Sequence, residues 1–495
     1  MISNRKAIVI GSGIAGLAIA TRLAVQGYEV EVYEANSHPG GKLDLIELNG
    51  FRFDAGPSLF TQPENVEDLF LEAGEPIENY FKYSEVDIVC NYFFESGKRL
   101  KTYADREKLK AEFANVLNED PASIESYLNK ADDLYQNIGH LFLHKPLHRK
   151  ETWLNSSILS AIKALRWPYL FSSLHKYNKS AFKNKETVQL FNRFATYNGS
   201  NPYKAPAMLS VIPHLEQNQG TYYPKGGMIS ITNALYELAL KKGVTFHFNQ
   251  KVTKINCEND SISGVVVNDQ SIDADLVVSN GDVYHTFQKL LGNQKRAATL
   301  EKMERSSSAI IFYWGIKKDH SELGLHNILF SANYEAEFDC LFNSKSMFED
   351  PTIYINITSK MEKGMCPEGT ENWFVMINAP ADYGQDWETL VSETRKRVID
   401  KINRNLNTNI EAHLVAEKVM DPTGIKAKTE TYRGSLYGTS SNSKFAAFFR
   451  PSNEFRSIKG LYFCGGTVHP GGGIPLCMNS AKITAELIRK NNGND

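Results

Sequence analysis

Three glycines near the start of the chain have the spacing of a phosphate-binding turn. Gly11, Gly13 and Gly16 follow the apolar run Ala7–Ile10 and open a second apolar stretch. The first glycine of such a motif permits a tight turn, the second lets the backbone approach a pyrophosphate, and the third lets helix and strand pack closely. The amide groups and positive dipole end of the following helix then face the phosphates. The pattern predicts a dinucleotide site, which the residues between the glycines complete: Ser12, Ile14 and Ala15.

An acidic residue lies where such a site needs one. Glu34 comes 18 residues after Gly16, at the end of a segment with strand alternation, and Ala35 follows it. A carboxylate there accepts hydrogen bonds from ribose hydroxyls and repels a 2′-phosphate, so NADP is disfavoured. The alternative is a purely structural glycine turn, which the strand–helix–strand context and the acid together disfavour.

The elements that position these residues form a βαβ unit within residues 6–34, which indicates a Rossmann-like domain. Later blocks continue the pattern. Residues 244–282 alternate short strands and turns, and residues 460–493 give a strand, a glycine-rich turn and a helix. No internal repeat is evident, so one cofactor domain threaded by insertions explains the layout.

Composition excludes several classes of protein. The 495 residues carry 55 Lys and Arg against 57 Asp and Glu, a net charge of −2, so no global basic field for nucleic acid exists. The six cysteines form neither a CxxC pair nor a metal-ligand cluster, so no metal is expected and a reducing cytosol fits. The apolar run after Arg5 and Lys6 mimics a signal peptide, but its glycines and the strand that follows argue against one. No window has the length of apolar sequence that spans a bilayer.

A second group of glycines decides between nicotinamide and flavin. Gly40-Gly41-Lys42, then Asp54 and Gly56-Pro57-Ser58, make the chain resemble the FAD-binding family of glutathione reductases, amine oxidases and carotenoid desaturases. The resemblance implies that Gly40, Gly41 and Lys42 lie along the pyrophosphate and that the Gly56 turn approaches the flavin. It also implies that Val252 contacts the adenine side through its backbone. No second GxGxxG occurs, which argues against a bound NAD(P)H reductant and favours another electron acceptor, such as oxygen or a quinone.

The carboxyl-terminal segment narrows the resemblance. Residues 460–475 resemble the terminal signature of bacterial carotenoid desaturases of the phytoene desaturase type, as do residues 222–228 and 433–438. This implies that Gly466 and Gly473 let backbone lie against the isoalloxazine, and that the helix opening at Ile474 and Pro475 aims its amides at the flavin. The triple glycine and Val468 depart from the phytoene form toward hydroxycarotenoid 3,4-desaturases, whose substrates include hydroxylated or monocyclic carotenoids such as γ-carotene derivatives.

Desaturation needs few conspicuous side chains, because the cofactor supplies the redox chemistry and the protein aligns the polyene. His469 is the candidate catalytic residue, as a proton acceptor or charge stabiliser near the flavin. A purely structural histidine that holds the glycine turn is an equal alternative.

Residues 145–185 carry nine Lys and Arg against one acid, Glu151, a net charge of +8. Apolar residues at helical spacing and several aromatic residues accompany this charge, among them Leu154, Ile158, Trp167 and Tyr169. An amphipathic helix lying on an anionic membrane fits this combination and would give access to a bilayer-dissolved substrate. The alternative is an ordinary packed helix with a solvated basic face.

We therefore expect an α/β fold: a Rossmann-like FAD-binding domain of the glutathione reductase/amine oxidase type, with an inserted mixed substrate domain and a helical, membrane-facing region. The expected FAD domain comprises residues 1–85, 215–290 and 430–495, the substrate domain 86–100, 196–214 and 291–429, and the helical region 101–195. The expected protein is a cytoplasmic, peripherally membrane-bound carotenoid desaturase. The rivals are a carotenoid isomerase, a flavin amine oxidase, and a non-enzymatic lipid-binding escort resembling the GDP dissociation inhibitors, which the intact glycine and Glu34 set disfavours.

Overall fold

The computed structural model describes residues 5–153, 169, 171–443 and 450–493. Its strands, in chain order, are β1 (Lys6–Ile10), β2 (Glu29–Tyr33), β3 (Asp44–Leu48), β4 (Phe51–Ala55), β5 (Tyr83–Glu85), β6 (Ile88–Phe93), β7 (Arg99–Tyr103), β8 (Tyr222–Pro224), β9 (Thr245–His247), β10 (Val252–Glu258), β11 (Ser261–Val267), β12 (Gln270–Asp273), β13 (Leu276–Ser279), β14 (Ser308–Ile316), β15 (His326–Leu329), β16 (Ile353–Ile357), β17 (Glu371–Ala379), β18 (Leu414–Met420) and β19 (Leu461–Phe463).

The α-helices, in the same order, are α1 (Ile14–Val25), α2 (Glu64–Glu72), α3 (Arg106–Leu117), α4 (Pro121–Leu134), α5 (His140–His144), α6 (Lys150–Trp153), α7 (Leu174–Ala181), α8 (Lys185–Asn192), α9 (Ile212–Gln217), α10 (Ile229–Lys241), α11 (Val283–His285), α12 (Gln294–Glu301), α13 (Tyr334–Asp339), α14 (Trp387–Leu406), α15 (Pro422–Thr429) and α16 (Ile474–Asn491). Short 3-10 and π turns extend or connect several of them.

A parallel sheet with the order β19-β13-β1-β2-β9 forms the first layer. Its strands come from the start, the middle and the end of the chain, as the interrupted βαβ pattern of the sequence predicts. α1, α10 and α16 pack on one side of it in a single apolar core. The antiparallel sheet β10-β11-β12 contributes to the core on the other side. Because all strands of the layer are parallel, their carboxyl ends, and the turns that follow them, meet at one edge.

A second, mixed sheet has the order β18-β14-β17-β16-β15-β6-β7. Side chains alternate across a strand, so Ile353, Ile355 and Ile357 of β16 share one face and Tyr354 and Asn356 the other. The isoleucine face is predominantly apolar, with the buried carboxylate of Glu371 among the exceptions, and is covered by α14. The opposite face, which we call the inner face, carries polar and aromatic side chains such as Tyr313 and Tyr354 and packs against the β3–β4 hairpin.

Helices α3, α4 and α8 build the third unit, which covers one end of the inner face. Leu109, Phe113, Leu128 and Phe191 form a core with Tyr92 of β6. The division into FAD, substrate and helical regions stays a prediction, although the parallel sheet draws its strands from residues 6–33, 245–279 and 461–463.

Part of the basic segment 145–185 lies outside the described residues, namely 154–168 and 170, and with it Leu154, Ile158 and Trp167. The prediction that Tyr169 is an interfacial aromatic is wrong: its ring is buried with Leu134 and Ile138 because apolar helix faces close over it. Among the helices that the structure describes, none is both long and apolar enough to cross a bilayer.

Candidate functional site

The glycine turn after β1 leaves backbone exposed at the edge where the parallel strands end. Gly11 has φ +91°, which a residue with a side chain rarely adopts. A Cβ at Gly16 would lie 2.1 Å from the Gly11 carbonyl oxygen, so only glycine lets α1 start this close to the strand. Ser12 is buried, and α1 begins at Ile14 and Ala15 with Gly13 as its N-cap. The turn therefore presents the start of α1 without side-chain bulk, as phosphate binding requires.

Asn280, immediately after β13, lies against this turn. The sequence motifs did not identify it as a site residue. Its Oδ1 would lie 2.9 Å from a Cβ at Gly13, and its Nδ2 donates to the Cys464 carbonyl at 3.3 Å. It therefore bridges the first glycine turn and the carboxyl-terminal one. A polar residue directly after a buried parallel strand was the available signal.

Glu34 follows β2 and is 6% exposed. Its Oε2 accepts from the Ser12 amide (2.7 Å) and hydroxyl (2.9 Å), and its Oε1 accepts from the Asn36 amide (2.9 Å) and side chain (2.7 Å). Four donors occupy the carboxylate, so a ribose hydroxyl would take the place of a side-chain donor, which can rotate away. Ala35 is exposed beside it. The carboxylate thus lies at the phosphate turn, in the arrangement that ribose binding needs.

Val252 lies close to this acid. It is 4% exposed and shares an apolar cluster with Tyr33. The loop before it is hydrogen-bonded to the Glu34 segment, since the Gln250 amide donates to the Glu34 carbonyl at 2.8 Å. Its predicted contact with the adenine side stays a prediction, now with a location next to Glu34.

The second glycine pair crosses the first turn. Gly40 pairs with Gly13, and its amide donates to the Ser12 carbonyl at 2.9 Å. A Cβ at Gly41 would lie 3.3 Å from the Gly13 Cα. Lys42 Nζ donates to the Leu436 carbonyl at 2.5 Å. Burial lowers the pKa of Lys42, partly offset by Asp282. The lysine places a positive charge beside the cradle without a directly bonded carboxylate.

The turn Gly56-Pro57-Ser58 follows β4 and is half-buried. Gly56 is indispensable there, since a Cβ would lie 1.8 Å from the Lys42 carbonyl oxygen. The preceding Asp54 accepts from the Met228 amide at 2.9 Å, and burial raises its pKa to about 6. Ser58 Oγ lies 2.7 Å from the Tyr354 hydroxyl, so this turn is joined directly to the inner face.

The carboxyl-terminal turn forms the opposite wall. A Cβ at Gly466 would lie 3.2 Å from the Gly472 Cα. Gly473 has φ +108° and N-caps α16, and an added Cβ there would meet nothing within 4 Å. Ile474 and Pro475 occupy the first turn of α16. The start of α16 therefore borders open space, which suits a bound planar group.

Arg450 is a second buried cation at this wall, which no sequence motif indicated. It is 3% exposed and donates to the carbonyl groups of Tyr437 (2.9 Å), Gly466 (3.2 Å) and Thr439 (3.2 Å). Burial lowers its pKa to about 10. With Lys42 and the N-terminus of α16, Arg450 makes the surroundings favourable to negative charge.

His469 is buried and hydrogen-bonded through both its backbone and its ring. A carbonyl oxygen only accepts, so His469 Nε2 must donate to the Lys145 carbonyl, 2.9 Å away. Its own carbonyl accepts from Asn453 Nδ2 and Ser480 Oγ, both at 2.9 Å. Burial lowers its pKa to about 4, and Nδ1 has no hydrogen-bond partner within the described chain. The geometry favours bracing over proton acceptance, and the role stays a prediction.

No cluster of His, Cys, Asp and Glu that would hold a metal ion is found among the described residues. The features of the site are instead a backbone cradle where added Cβ atoms would collide, a ribose-type acid, buried cations and an open helix N-terminus. These fit a large anionic dinucleotide, and together with the parallel sheet they define a dinucleotide-dependent oxidoreductase of the Rossmann type.

Comparison with known proteins gives the family. The sequence profile described as "Flavin containing amine oxidoreductase" matches residues 14–489, so the chain belongs to that family. The chain is 49% identical over 488 residues to the 1-hydroxycarotenoid 3,4-desaturase of Flavobacterium sp., covering 99% of this chain and 100% of the relative. It is 30% identical to the 4,4′-diaponeurosporene oxygenase of Staphylococcus haemolyticus, with 98% and 97% of the two chains covered.

Solved structures share the fold. An oxidoreductase from Methanosarcina mazei superposes with a TM-score of 0.64 at 16% identity, over 97% of this chain and 100% of the other. Cyclohexylamine oxidase from Brevibacterium oxydans gives 0.63 at 14% identity, over 99% of each chain. The protein is accordingly an FAD-dependent oxidoreductase, and the sequence-based expectations of FAD and of an α/β flavoprotein fold are confirmed.

Replacing Glu34 by Ala should weaken FAD binding, because a buried ribose loses its charged acceptor. The expected loss is about 1.5 to 3 kcal/mol, or about 10- to 150-fold in the FAD dissociation constant. Fluorescence titration of the apoprotein with FAD measures it. Glu29→Ala, which removes an exposed carboxylate from the same strand, is the matched control. Equal dissociation constants for Glu34→Ala and the parent would exclude the ribose contact.

Replacing His469 by Ala should loosen FAD and lower the free energy of unfolding by about 2 to 4 kcal/mol, because a buried ring and its bond to Lys145 are lost. The reductive half-reaction should survive once FAD saturates the variant. Anaerobic single-turnover reduction at saturating FAD is the measurement. A loss of about 10²-fold or more there would instead identify His469 as the proton acceptor.

Proposed function

We propose that this protein is a carotenoid desaturase that uses FAD to introduce a carbon–carbon double bond into a hydroxylated carotenoid. The observation that carries the proposal is the 49% identity, over essentially the full length of both chains, to a 1-hydroxycarotenoid 3,4-desaturase. The second relative, a diaponeurosporene oxygenase, also has a carotenoid in its name.

Bound FAD would supply the two-electron oxidant: one C–H bond breaks on each of two neighbouring carbons, a hydride equivalent goes to the cofactor and a proton to solvent or a base, and the carbon–carbon double bond forms. The residues of the protein would bind the cofactor and enclose the substrate. The glycine turns and Glu34 would hold the dinucleotide, and Lys42, Arg450 and the start of α16 would favour a negatively charged reduced cofactor. The inner face of the mixed sheet would hold the polyene and exclude water. Oxygen or a quinone would then reoxidise the flavin.

The polar inner face supports a role in substrate binding. The opposite face of the same sheet is predominantly apolar and is covered by α14. On the inner face, by contrast, Tyr354 and Met376 of central strands are only half-buried, so this face borders a space that solvent reaches. Leu436 and Tyr437, beside the carboxyl-terminal turn, are half-buried as well. We expect the substrate to bind in a cleft beside these half-buried residues, between the sheet and the turn Gly56-Pro57-Ser58, which we call the flavin turn and whose Ser58 contacts Tyr354.

Membrane association through residues 145–185 is part of the proposal. Exposed lysines in the described part of this segment are Lys145, Lys150, Lys176, Lys179, Lys183 and Lys185. Phe171 is 50% exposed beside them. Arg149, however, pairs with Glu454 at 2.6 Å, so it belongs to the packed interior side of the segment. Exposed lysines around an exposed aromatic ring suit an anionic bilayer surface.

The function is tested by incubating the holoprotein with liposomes that each carry one carotenoid, then reading product spectra and masses. A hydroxylated carotenoid should lose two hydrogens and gain one conjugated double bond. Hydrogen peroxide from amines without carotenoid conversion would indicate an amine oxidase, and conversion at unchanged mass an isomerase. A purified protein that carries no FAD would support the escort alternative.

Reversing two of the exposed charges should weaken vesicle binding. Lys176→Glu with Lys179→Glu should reduce sedimentation with phosphatidylglycerol vesicles by about tenfold or more at low salt, since each lysine near such a surface contributes about 1 kcal/mol. Raising the salt should weaken binding of the parent in the same way. Lys254→Glu with Lys295→Glu makes the same charge change on exposed residues elsewhere. Equal pelleting of the two double variants would remove this segment as the anchor.

A further inference from the structure

A chain of polar side chains runs from the flavin turn into the inner face of the mixed sheet. Ser58 Oγ lies 2.7 Å from the Tyr354 hydroxyl, which lies 2.7 Å from His326 Nδ1. Asn356 Nδ2 reaches the same ring nitrogen at 3.2 Å. Ser58 is half-buried at the cleft, whereas His326 is 3% exposed. The chain therefore has one end in the cleft and one in the interior.

Hydrogen-bond rules orient every proton in this chain. Asn356 Nδ2 also donates to the Leu325 carbonyl at 3.1 Å, so an N–H group faces His326 Nδ1, which favours the tautomer with Nδ1 unprotonated. In that tautomer the Tyr354 hydroxyl, the closer donor at 2.7 Å, donates to the single lone pair of Nδ1. Its single hydrogen being used, Tyr354 accepts from Ser58.

Ser58 consequently offers only lone pairs to the cleft. Its hydrogen points away, toward Tyr354, and the remaining oxygen sites can receive a hydrogen bond but not give one. A ligand group that fits must be a donor, such as an alcohol. An ether oxygen in the same place would face Ser58 with lone pair against lone pair.

His326 is a neutral ring in this chain. Burial, with a smaller effect from nearby Arg193, lowers the pKa of the imidazole to about 3. The ring therefore carries one hydrogen throughout the physiological range, and the Asn356 N–H group that faces Nδ1 favours its placement on Nε2. Nε2 is buried without a hydrogen-bond partner among the described residues. In this tautomer the interior end of the chain is an acceptor.

We propose that Ser58, held by Tyr354 and His326, recognises the hydroxyl group of the substrate by accepting its hydrogen bond, and so selects hydroxylated over etherified or unsubstituted carotenoids. The proposal rests on the proposed function. In a 1-hydroxycarotenoid that is desaturated at the 3,4 bond, one carbon separates the hydroxyl-bearing carbon from the new double bond. The recognising residue must therefore lie beside the flavin, and Ser58 belongs to the turn for which the resemblance to flavoproteins predicts that position.

Tyr354 and His326 are positioning residues in this scheme, since they act through Ser58. Apolar packing, as well as hydrogen bonding, holds Ser58 in place. Phe51 and Phe53 of β4 pack on the inner face with Tyr313, so the turn that carries Ser58 is fixed to the sheet on which Tyr354 stands. The flavin turn and the chain from Ser58 to His326 are therefore packed together, and this packing holds the Ser58 oxygen at a fixed place relative to the reacting bond.

The test compares three acyclic carotenoids that differ at carbon 1: a hydroxyl, a methoxyl and no oxygen. For each, kcat/KM is measured in liposomes, and binding to the oxidised holoprotein is measured by quenching of protein fluorescence. The parent should prefer the hydroxyl compound over both others by about tenfold or more, because one substrate hydrogen bond is at stake. Ser58→Ala and Tyr354→Phe should each bring the ratio of hydroxyl to methoxyl toward one, and Ser58→Thr should restore it.

Tyr127→Phe is the matched control, because it removes a buried, hydrogen-bonded tyrosine hydroxyl from the helical unit without touching the chain. If Ser58→Ala loses FAD, Tyr354→Phe decides alone, since it leaves the cofactor turn intact. A parent without preference for the hydroxyl compound, or a Tyr354→Phe variant that keeps the full preference, would overturn this assignment while leaving desaturase activity in place. Absence of desaturation with all three compounds would instead overturn the proposed function, and this inference with it.

Discussion

The cofactor site depends on close approach of three backbone turns at one edge of the parallel sheet. Gly13, Gly41 and the Asn280 side chain meet there within van der Waals distance, and Asn280 continues to the carboxyl-terminal turn at Cys464. A single added methyl group at Gly16 would collide with the Gly11 carbonyl at 2.1 Å. Side-chain-free backbone at this crossing is what leaves amide groups and the start of α1 available to a phosphate.

Charged side chains of opposite sign lie on different sides of this crossing. Glu34 lies beside the turn before α1 with four hydrogen-bond donors, whereas Lys42 and Arg450 lie toward α16 and donate to backbone carbonyl groups. Neither cation has a carboxylate as its direct hydrogen-bond partner among the described residues, and both lie in a poorly solvated region, with Asp282 acting on Lys42 from a distance. Such cations stabilise an anion more strongly than surface lysines do, because little water screens them. The arrangement suits a cofactor that becomes more negative when reduced.

The two faces of the mixed sheet differ in the side chains that they carry. The face under α14 is predominantly apolar and contributes stability, with Trp373 and Ile355 fully buried. The inner face buries fewer apolar side chains, because tyrosines and His326 occupy positions there near the Gly56-Pro57-Ser58 turn. Buried polar groups are costly unless hydrogen-bonded, and here they are joined into an oriented chain from Ser58 to His326.

Local pattern in the sequence was enough for the βαβ start, the glycine turns, Glu34 and the strand–turn–helix ending at α16, because each depends on neighbours within a few residues. The observed strands β1, β2 and β19 lie where alternation and apolar runs predict them. Asn280, Arg450 and the Ser58–Tyr354–His326 chain depend on residues that are distant in sequence: Ser58 and Tyr354 are 296 positions apart. No periodicity encodes such contacts. The burial of Tyr169 was likewise decided by which helices close over it, since an aromatic ring suits a core as well as a membrane surface, and only the tertiary packing chooses between them.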